Sequence, residues 1–265
     1  MGVSLKVTTP RWLRPTLPRL QTLFHQFAGD GQFPLLSPEL QERAFRVAPD
    51  NQDARNRQAA VLVPLVFWLP NNNNNNNSMS QQPLQEPMPS LLLTKRSSKV
   101  TTHKSEISFP GGHTEEGMDD NLIETALREA QEECPSHHWD STIVIGECTP
   151  VPSIRGTPVT SVLGILPEPV RSLEEEFGYN PEEVDEVFLV PLHHLLQHET
   201  FRPMGRLNSP GPVYPTKHGD IWGLSAFVIR PILHQLLKPV FLDNDSQQQQ
   251  HELGTEESKP TTSKL

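Results

Sequence analysis

The order of segments along this 265-residue chain is consistent with an α/β fold. Three observations carry that expectation. Ala59-Ala60-Val61-Leu62-Val63-Pro64-Leu65-Val66 is an apolar run of strand length and reads as a buried strand. Phe109-Pro110-Gly111-Gly112 forms a Gly-rich turn, which an acidic loop joins to an amphipathic helix ending before Pro135. Beyond that helix, residues 143–148 and 159–166 read as further strands, with a turn at 150–156 between them.

The elements follow in order. Residues 1–29 carry no acid but hold Lys6, Arg11, Arg14 and Arg19, a composition similar to that of an organelle presequence. Pro10, Pro15 and Pro18 argue against a long amphipathic helix, so a disordered basic tail is expected there. Residues 30–58 form a lead-in with a short helix, Pro38–Val47. Residues 1–57 are thus assigned to an N-terminal extension and 58–240 to one domain. The homopolymeric asparagine run at 71–77 and the Gln/Pro/Ser-rich residues after it have nothing to bury, so 70–89 is read as a disordered insertion between two strands.

Leu91-Leu92-Leu93-Thr94-Lys95-Arg96 is the second of those strands, and residues 97–105 are polar and basic. An acid-rich loop at 180–186 feeds a strand ending at Pro191, and residues 193–198 form a short helix. Ile221-Trp222-Gly223-Leu224-Ser225-Ala226 opens a last helix running to about 237. The Gln-rich, acidic residues 241–265 form a disordered tail.

Composition narrows the function classes. The net charge of −10 and pI of about 5.5 argue against a general nucleic-acid binder. A phosphorylated substrate stays open, because bound cations reverse local charge. Cys134 and Cys148 have no metal spacing and fit a reducing compartment rather than a disulfide framework. The longest apolar run, 59–69, is too short to span a bilayer. His137-His138 and His193-His194 lack partner ligands at metal spacing, so zinc is set aside. The Gly-Gly turn lacks the Lys-Ser/Thr of a P-loop.

The helix after the turn holds the chemistry. Asn121 is its expected N-cap, with Glu124 completing a capping-box pattern. Ile123, Leu127, Ala130 and Cys134 form an apolar stripe. Glu129, Glu132 and Glu133 project from one face, roughly opposite that stripe. Three carboxylates so placed repel one another unless a cation neutralises them, and hard oxygen ligands suit Mg²⁺ or Mn²⁺. Without an ion, the same pattern is the solvated face of a surface helix. Arg128 pairs either with Glu124 or with one of the three carboxylates.

These residues resemble the Nudix box, whose pattern is Gly, five residues, Glu, seven residues, Arg-Glu-aliphatic-any-Glu-Glu-any-Gly-aliphatic. Gly112, Arg128, Glu129, Ala130, Glu132 and Glu133 occupy matching roles. The Gly-to-Arg spacing is two residues longer than the pattern. Asp120 stands eight residues before Arg128 in place of Glu, and Pro135-Ser136 replaces the closing Gly-aliphatic pair. Upstream, the strand 91–96 with Ser97-Ser98, a basic spacer and Ile107-Ser108-Phe109-Pro110-Gly111-Gly112 is similar to the signature of the coenzyme A pyrophosphatase branch. Ser105-Glu106 lies where that signature carries a Gly. The 180–192 segment and the opening of the last helix are also Nudix-like.

The resemblance implies a Nudix-type α/β/α sandwich with a mixed sheet. It implies a metal-dependent hydrolase that cleaves the diphosphate of coenzyme A or acyl-coenzyme A to 3′,5′-ADP and a 4′-phosphopantetheine species. Glu129, Glu132 and Glu133 would hold the ions and Arg128 would orient them. Lys95, Arg96, His103, Lys104, Phe109, Gly111 and Gly112 would face the substrate. The general base would be a helix glutamate or an acid of 182–186. An NADH or ADP-ribose hydrolase and a catalytically inert binding module are the alternatives. Ser263-Lys264-Leu265 reads as an address for the peroxisomal import receptor, with a mitochondrial presequence at the basic N-terminus as its rival.

Overall fold

The computed structural model describes residues 9–29, 31–49, 52–69, 86–100, 103–204 and 209–243. The asparagine run, the first eight residues and the last three lie outside that set. In chain order come α1 (Thr16–Ala28), α2 (Pro38–Val47), α3 (Gln52–Arg55), β1 (Ala59–Trp68), β2 (Met88–Arg96), β3 (Ile107–Ser108) and β4 (Gly111–His113). Next are α4 (Leu122–Glu133), a 3-10 turn (His137–Ser141), β5 (Ile143–Glu147), β6 (Val151–Pro152), β7 (Pro158–Ile165) and α5 (Leu173–Glu176). The chain continues with β8 (Val184–Pro191), α6 (Leu192–Gln197), β9 (Thr200–Met204), β10 (Ser209–Thr216) and β11 (Gly219–Ile221). The last helix starts as α7 (Gly223–Pro231), passes through π-helical turns (Ile232–Leu237) and ends as α8 (Lys238–Phe241).

The sheet is mixed and centred on β1. β1 runs parallel to β7, from Ala59 opposite Val159 to Leu65 opposite Ile165. On its other side it pairs antiparallel with β4 at one end and β2 at the other. β8 pairs with β2, and β5 and β6 pair with β7. β1 and β2 therefore splay apart, and the β3–β4 segment enters the fork between them. Pro64 sits in this central strand because of the fork. Pairing with β4 ends at Val61 and pairing with β2 resumes at Leu65, so no ladder bond needs a Pro64 N–H.

Alternation along β1 builds two cores. Ala60, Leu62 and Val66 pack on α4 through Ala126, Ala130 and Cys134, together with Trp139 and Phe177. Val63, Leu65 and Phe67 point to the other face, against α1, α6 and the last helix. Helices therefore cover both faces, as an α/β/α sandwich requires.

The N-terminal expectation needs correction. Residues 16–28 form a helix that buries Leu17, Leu20 and Phe24 in the second core, and Trp12 meets the Phe67 ring edge-on at 4.4 Å. The prolines do not oppose this helix. Pro15 is its N-cap and Pro18 lies in its first turn, where backbone N–H groups have no intrahelical acceptor. Phe33 is fully buried, its N–H donating to the Glu147 carbonyl and its own carbonyl accepting from Thr149. The described part of the supposed extension thus belongs to the domain. The helix at Pro38–Val47 forms as expected, capped by Ser37.

Two boundaries also move, and one sheet is new. β2 begins at Met88, paired with Trp68, so the insertion is shorter than 70–89. The last helix continues to Phe241. β9, β10 and β11 form a three-stranded sheet where the sequence suggested no strand. Pro203, Pro210, Pro212 and Pro215 mask its alternation.

Candidate active site

The site is built where β4, α4 and the 180–186 turn meet. Asn121 caps α4, its Oδ1 accepting from the Glu124 N–H at 3.0 Å. The Glu124 carboxylate reaches back to the Asp120 N–H at 2.9 Å, closing a variant of the capping box. The β3–β4 strand runs beside α4 with no side chain at 111 or 112. A Cβ on Gly111 would strike the Ala60 carbonyl and the Val61 backbone, and one on Gly112 would strike the Glu129 carboxylate. Glycine is needed at both positions because the backbone must lie this close to β1 and to Glu129.

Arg128 organises the polar face. Its Nε and one terminal nitrogen donate to the two oxygens of Asp119, each at 2.9 Å. It also reaches the His113 carbonyl at 3.0 Å, Glu129 at 3.1 Å and Glu132 at 3.2 Å. The hydrogen bond from Arg128 holds the Asp119 carboxyl well below the usual range, and Asp119 raises Arg128 in turn. Asp120, the residue at the box's first acidic position, does not take this role. The longer loop places Asp119 there instead. Glu124 also leaves Arg128 to the others.

The three helix glutamates differ in environment, so they do not form one solvated face. Glu132 is half exposed and drawn to Arg128 one turn away. Glu129 is mostly enclosed; burial raises its pKa, Arg128 offsets part of that, and Glu132 and Glu183 add to it. Glu133 is only 2% exposed. Burial pushes its pKa up to about 8, with Arg96 and the Gly111 amide opposing the rise and Glu183 and Glu129 reinforcing it. Its Oε1 lies 3.5 Å from Arg96, and its Oε2 finds no hydrogen-bond partner among the described residues.

Glu183 is brought to this pair by the fold. Asn180 donates its N–H to the Glu133 carbonyl at 2.9 Å and accepts from the Glu183 and Val184 amides. The end of β2 clasps the same turn through Ser97 N–H to the Glu183 carbonyl, Ser98 N–H to Asp185, and Lys99 to Glu182. Of the acids in 182–186, Glu183 is the one whose charge bears on both Glu129 and Glu133. A buried, unpartnered carboxylate oxygen among three acids is the arrangement a hard divalent cation would complete.

The expected substrate residues separate into two groups. Arg96 joins the glutamate cluster, and Gly111 and Gly112 line it. Lys95 donates to the His218 carbonyl at 3.4 Å, His103 pairs with Glu106 at 2.8 Å, and Lys104 is exposed. Phe109 does not face a substrate: it is 3% exposed and packs in the core beside the last helix. A cleft of about 930 Å³ runs along β8, from Trp68 and Met88 to Tyr179 and Asp185. Asp119 was missed because the box pattern counts from Arg128 and passes over a neighbouring acid. The only trace was the doubled Asp119-Asp120.

An α/β/α sandwich with a carboxylate helix behind a Gly-Gly turn defines the class of hydrolase to which comparison leads. The family model described as the NUDIX domain matches residues 83–207. A Nudix hydrolase called NudL from Klebsiella pneumoniae is 33% identical over 196 residues, 72% of this chain and 89% of the relative. Its counterpart from Cronobacter sakazakii is 34% identical over 211 residues, 77% and 91% of the two chains. The crystal structure of RenU, a Nudix hydrolase from M. smegmatis, aligns with a TM-score of 0.36 at 17% identity, covering 53% of this chain and 73% of its own.

The chain belongs to the Nudix hydrolase family. It is therefore an enzyme of a class acting on nucleoside-diphosphate-type substrates and generally using divalent metal ions. Among the described residues, no helix is long and apolar enough to cross a membrane.

Proposed function

We propose that this enzyme hydrolyses the diphosphate of coenzyme A and its thioesters, releasing 3′,5′-ADP and a 4′-phosphopantetheine species. The observation that carries this reading is the position of the basic strand end. Arg96 Nη1 lies 3.5 Å from Glu133 Oε1, so the signature segment 91–98 delivers a cation to the carboxylate cluster itself. A phosphate there would meet Arg96 on one side and the Gly111–Gly112 backbone on the other.

Glu129 and Glu133 are the residues to hold Mg²⁺ or Mn²⁺. When bound, these ions neutralise the diphosphate and acidify a water. Arg128, tied to Asp119, keeps Glu129 in place. Gly112 lets the backbone pass Glu129 without displacing it. Glu183, carried by a separate segment, takes the proton from the attacking water. The cleft along β8 gives the pantetheine and acyl portions room beyond the diphosphate.

The test is a mass-spectrometric product assay with Mg²⁺ or Mn²⁺, offering coenzyme A, an acyl-coenzyme A, NADH and ADP-ribose in parallel. Release of 3′,5′-ADP from the first two, abolished by EDTA, is the expected result. Turnover of NADH or ADP-ribose alone would discard the reading of segment 91–109. No turnover of any substrate would favour an inert binding module. The same proposal sends the enzyme to the peroxisome through Ser263-Lys264-Leu265 and its import receptor. A fluorescent fusion that keeps its location after removal of those three residues would count against the address and for the N-terminal mitochondrial rival.

A further inference from the structure

Outside the carboxylate cluster, one group of ligand-type side chains stands out. His137, His138 and Glu168 each place one ligand atom within 4.8 Å of the others. The two histidines lie in the 3-10 turn after α4, and Glu168 lies in the segment after β7. A third ligand-type group that the local sequence lacks is brought near the two histidines across the fold.

His138 makes this cluster more than a surface coincidence. It is 2% exposed. Its Nε2 lies 2.7 Å from Glu176 Oε2, while its Nδ1 finds no partner among the described residues. The other Glu176 oxygen accepts from the Arg171 and Ser172 amides at 2.7 and 2.9 Å. Burial opposes the charge on Glu176, yet the Arg171 amide, His138 and the Ser172 amide together lower its pKa. An ionised carboxylate only accepts, so Nε2 carries a proton; in the neutral imidazole the lone pair is then on the enclosed Nδ1. The ring is held flat against Phe177, with centroids 5.4 Å apart and planes 15° apart. A carboxylate fixing one nitrogen of a buried histidine and leaving the other bare is the arrangement that orients metal-ligating imidazoles.

We propose that His137, His138 and Glu168 form a second metal site, selective for a borderline cation of the Zn²⁺ type, with Glu176 as its positioning residue. Two imidazoles and one carboxylate suit that class of ion better than the hard cations matched to the glutamate cluster. Ligand atoms around a tetrahedral ion stand roughly 3.3 Å apart. Closing from the present separation would draw His137 and Glu168, both exposed, toward the buried His138. A solvent molecule would take the fourth position. The site lies in the clasp that joins the end of α4 to the segment leading to Glu183. Gly178 donates to the Pro135 carbonyl at 2.8 Å and Asn180 to the Glu133 carbonyl at 2.9 Å across the same seam. An ion here would stiffen that seam.

The experiment uses the full chain, stripped with a chelator and held in excess Mg²⁺ to occupy the carboxylate cluster. Co²⁺ is titrated as a spectroscopic probe and then displaced by Zn²⁺. One equivalent of Co²⁺ should give the intense visible absorption of a four-coordinate ion, and Zn²⁺ should raise the Tm. His137→Ala and Glu168→Gln should each weaken Zn²⁺ binding at least about tenfold, with metal-free Tm and Mg²⁺-supported turnover unchanged. Glu176→Gln should weaken binding by about 10- to 100-fold without removing a ligand. A six-coordinate Co²⁺ spectrum, no binding, or binding unaltered in both His137→Ala and Glu168→Gln would overturn the site. Loss of the signal only in Glu133→Gln would assign the ion to the carboxylate cluster instead.

Discussion

Arg128 grips Asp119 with two parallel hydrogen bonds of 2.9 Å, and Asp119, whose side chain is 1% exposed, lies one residue before the position the box pattern marks. Losing the Asp119 charge removes both of these bonds, while Glu129 and Glu132 still face Arg128, so the cost is less than that of leaving a buried charge wholly unmatched. Asp119→Asn should therefore lower the Tm and reduce kcat/KM by about 10- to 100-fold, because Arg128 no longer orients Glu129. Asp120→Asn should be close to neutral in both. Thermal melts and steady-state kinetics on the two variants decide this, and the reverse pattern would refute the assignment.

Glu133 gives the metal-free protein a pH-dependent stability. Its folded-state pKa, about 8, lies above the ordinary 4.5, so the folded chain holds the proton more tightly. The stability it contributes is fully present below about pH 4.5 and is lost as pH rises toward about 8. In EDTA, the Tm should fall between about pH 5 and about pH 8, and Glu133→Gln should flatten that fall. Millimolar Mg²⁺ or Mn²⁺ should restore the wild-type Tm at the upper end. Parallel pH profiles for wild type and variant would show that Glu133 is not the titrating group.

Glu133 and Glu183 should separate by function. Glu133→Gln should weaken divalent-ion binding and abolish turnover. Glu183→Gln should largely keep ion affinity and lower kcat by about 10²- to 10⁴-fold. Calorimetric titration with Mn²⁺ alongside kinetics resolves the two roles. Equal loss of ion affinity in both variants would make Glu183 a ligand and leave the proton acceptor elsewhere.

Gly111 and Gly112 touch different things, so their substitutions should diverge. Gly112→Ala pushes a methyl group into the Glu129 carboxylate and should cost activity and ion affinity with a small change in Tm. Gly111→Ala meets the β1 backbone, which cannot yield locally, and should lower the Tm sharply. A purified Gly112→Ala variant with native turnover would remove the close approach from the account.

The N-terminal helix should act as part of the core. Leu20→Ala and Phe24→Ala should destabilise by about 2–5 and about 3–5 kcal/mol respectively. Chemical denaturation measures both. A disordered tail would show neither effect.

The sequence by itself determined the parts governed by local rules. Asn121 and Glu124 set the start of α4, Pro135 follows its end, and the apolar run 59–66 placed the central strand. The Gly-Gly turn and the Arg128–Glu133 run were enough to name the family. Tertiary structure alone decided which charges meet. Asp119 reaches Arg128 because a loop two residues longer than the box pattern brings it there. Glu183 and Arg96 converge on Glu133 only when β2 and the 180–186 turn close over the end of α4. Glu129, Glu132 and Glu133 look equivalent at helical spacing, yet β4 encloses two of them and leaves the third beside Arg128. Helical spacing sets direction around one axis, whereas burial, and with it the pKa and metal chemistry of a carboxylate, depends on what packs against that axis from elsewhere in the chain. The same reason hid the helix at Thr16–Ala28, whose apolar face acquires its meaning from β5 and the last helix packed against it, and joined Glu168 to His137 and His138.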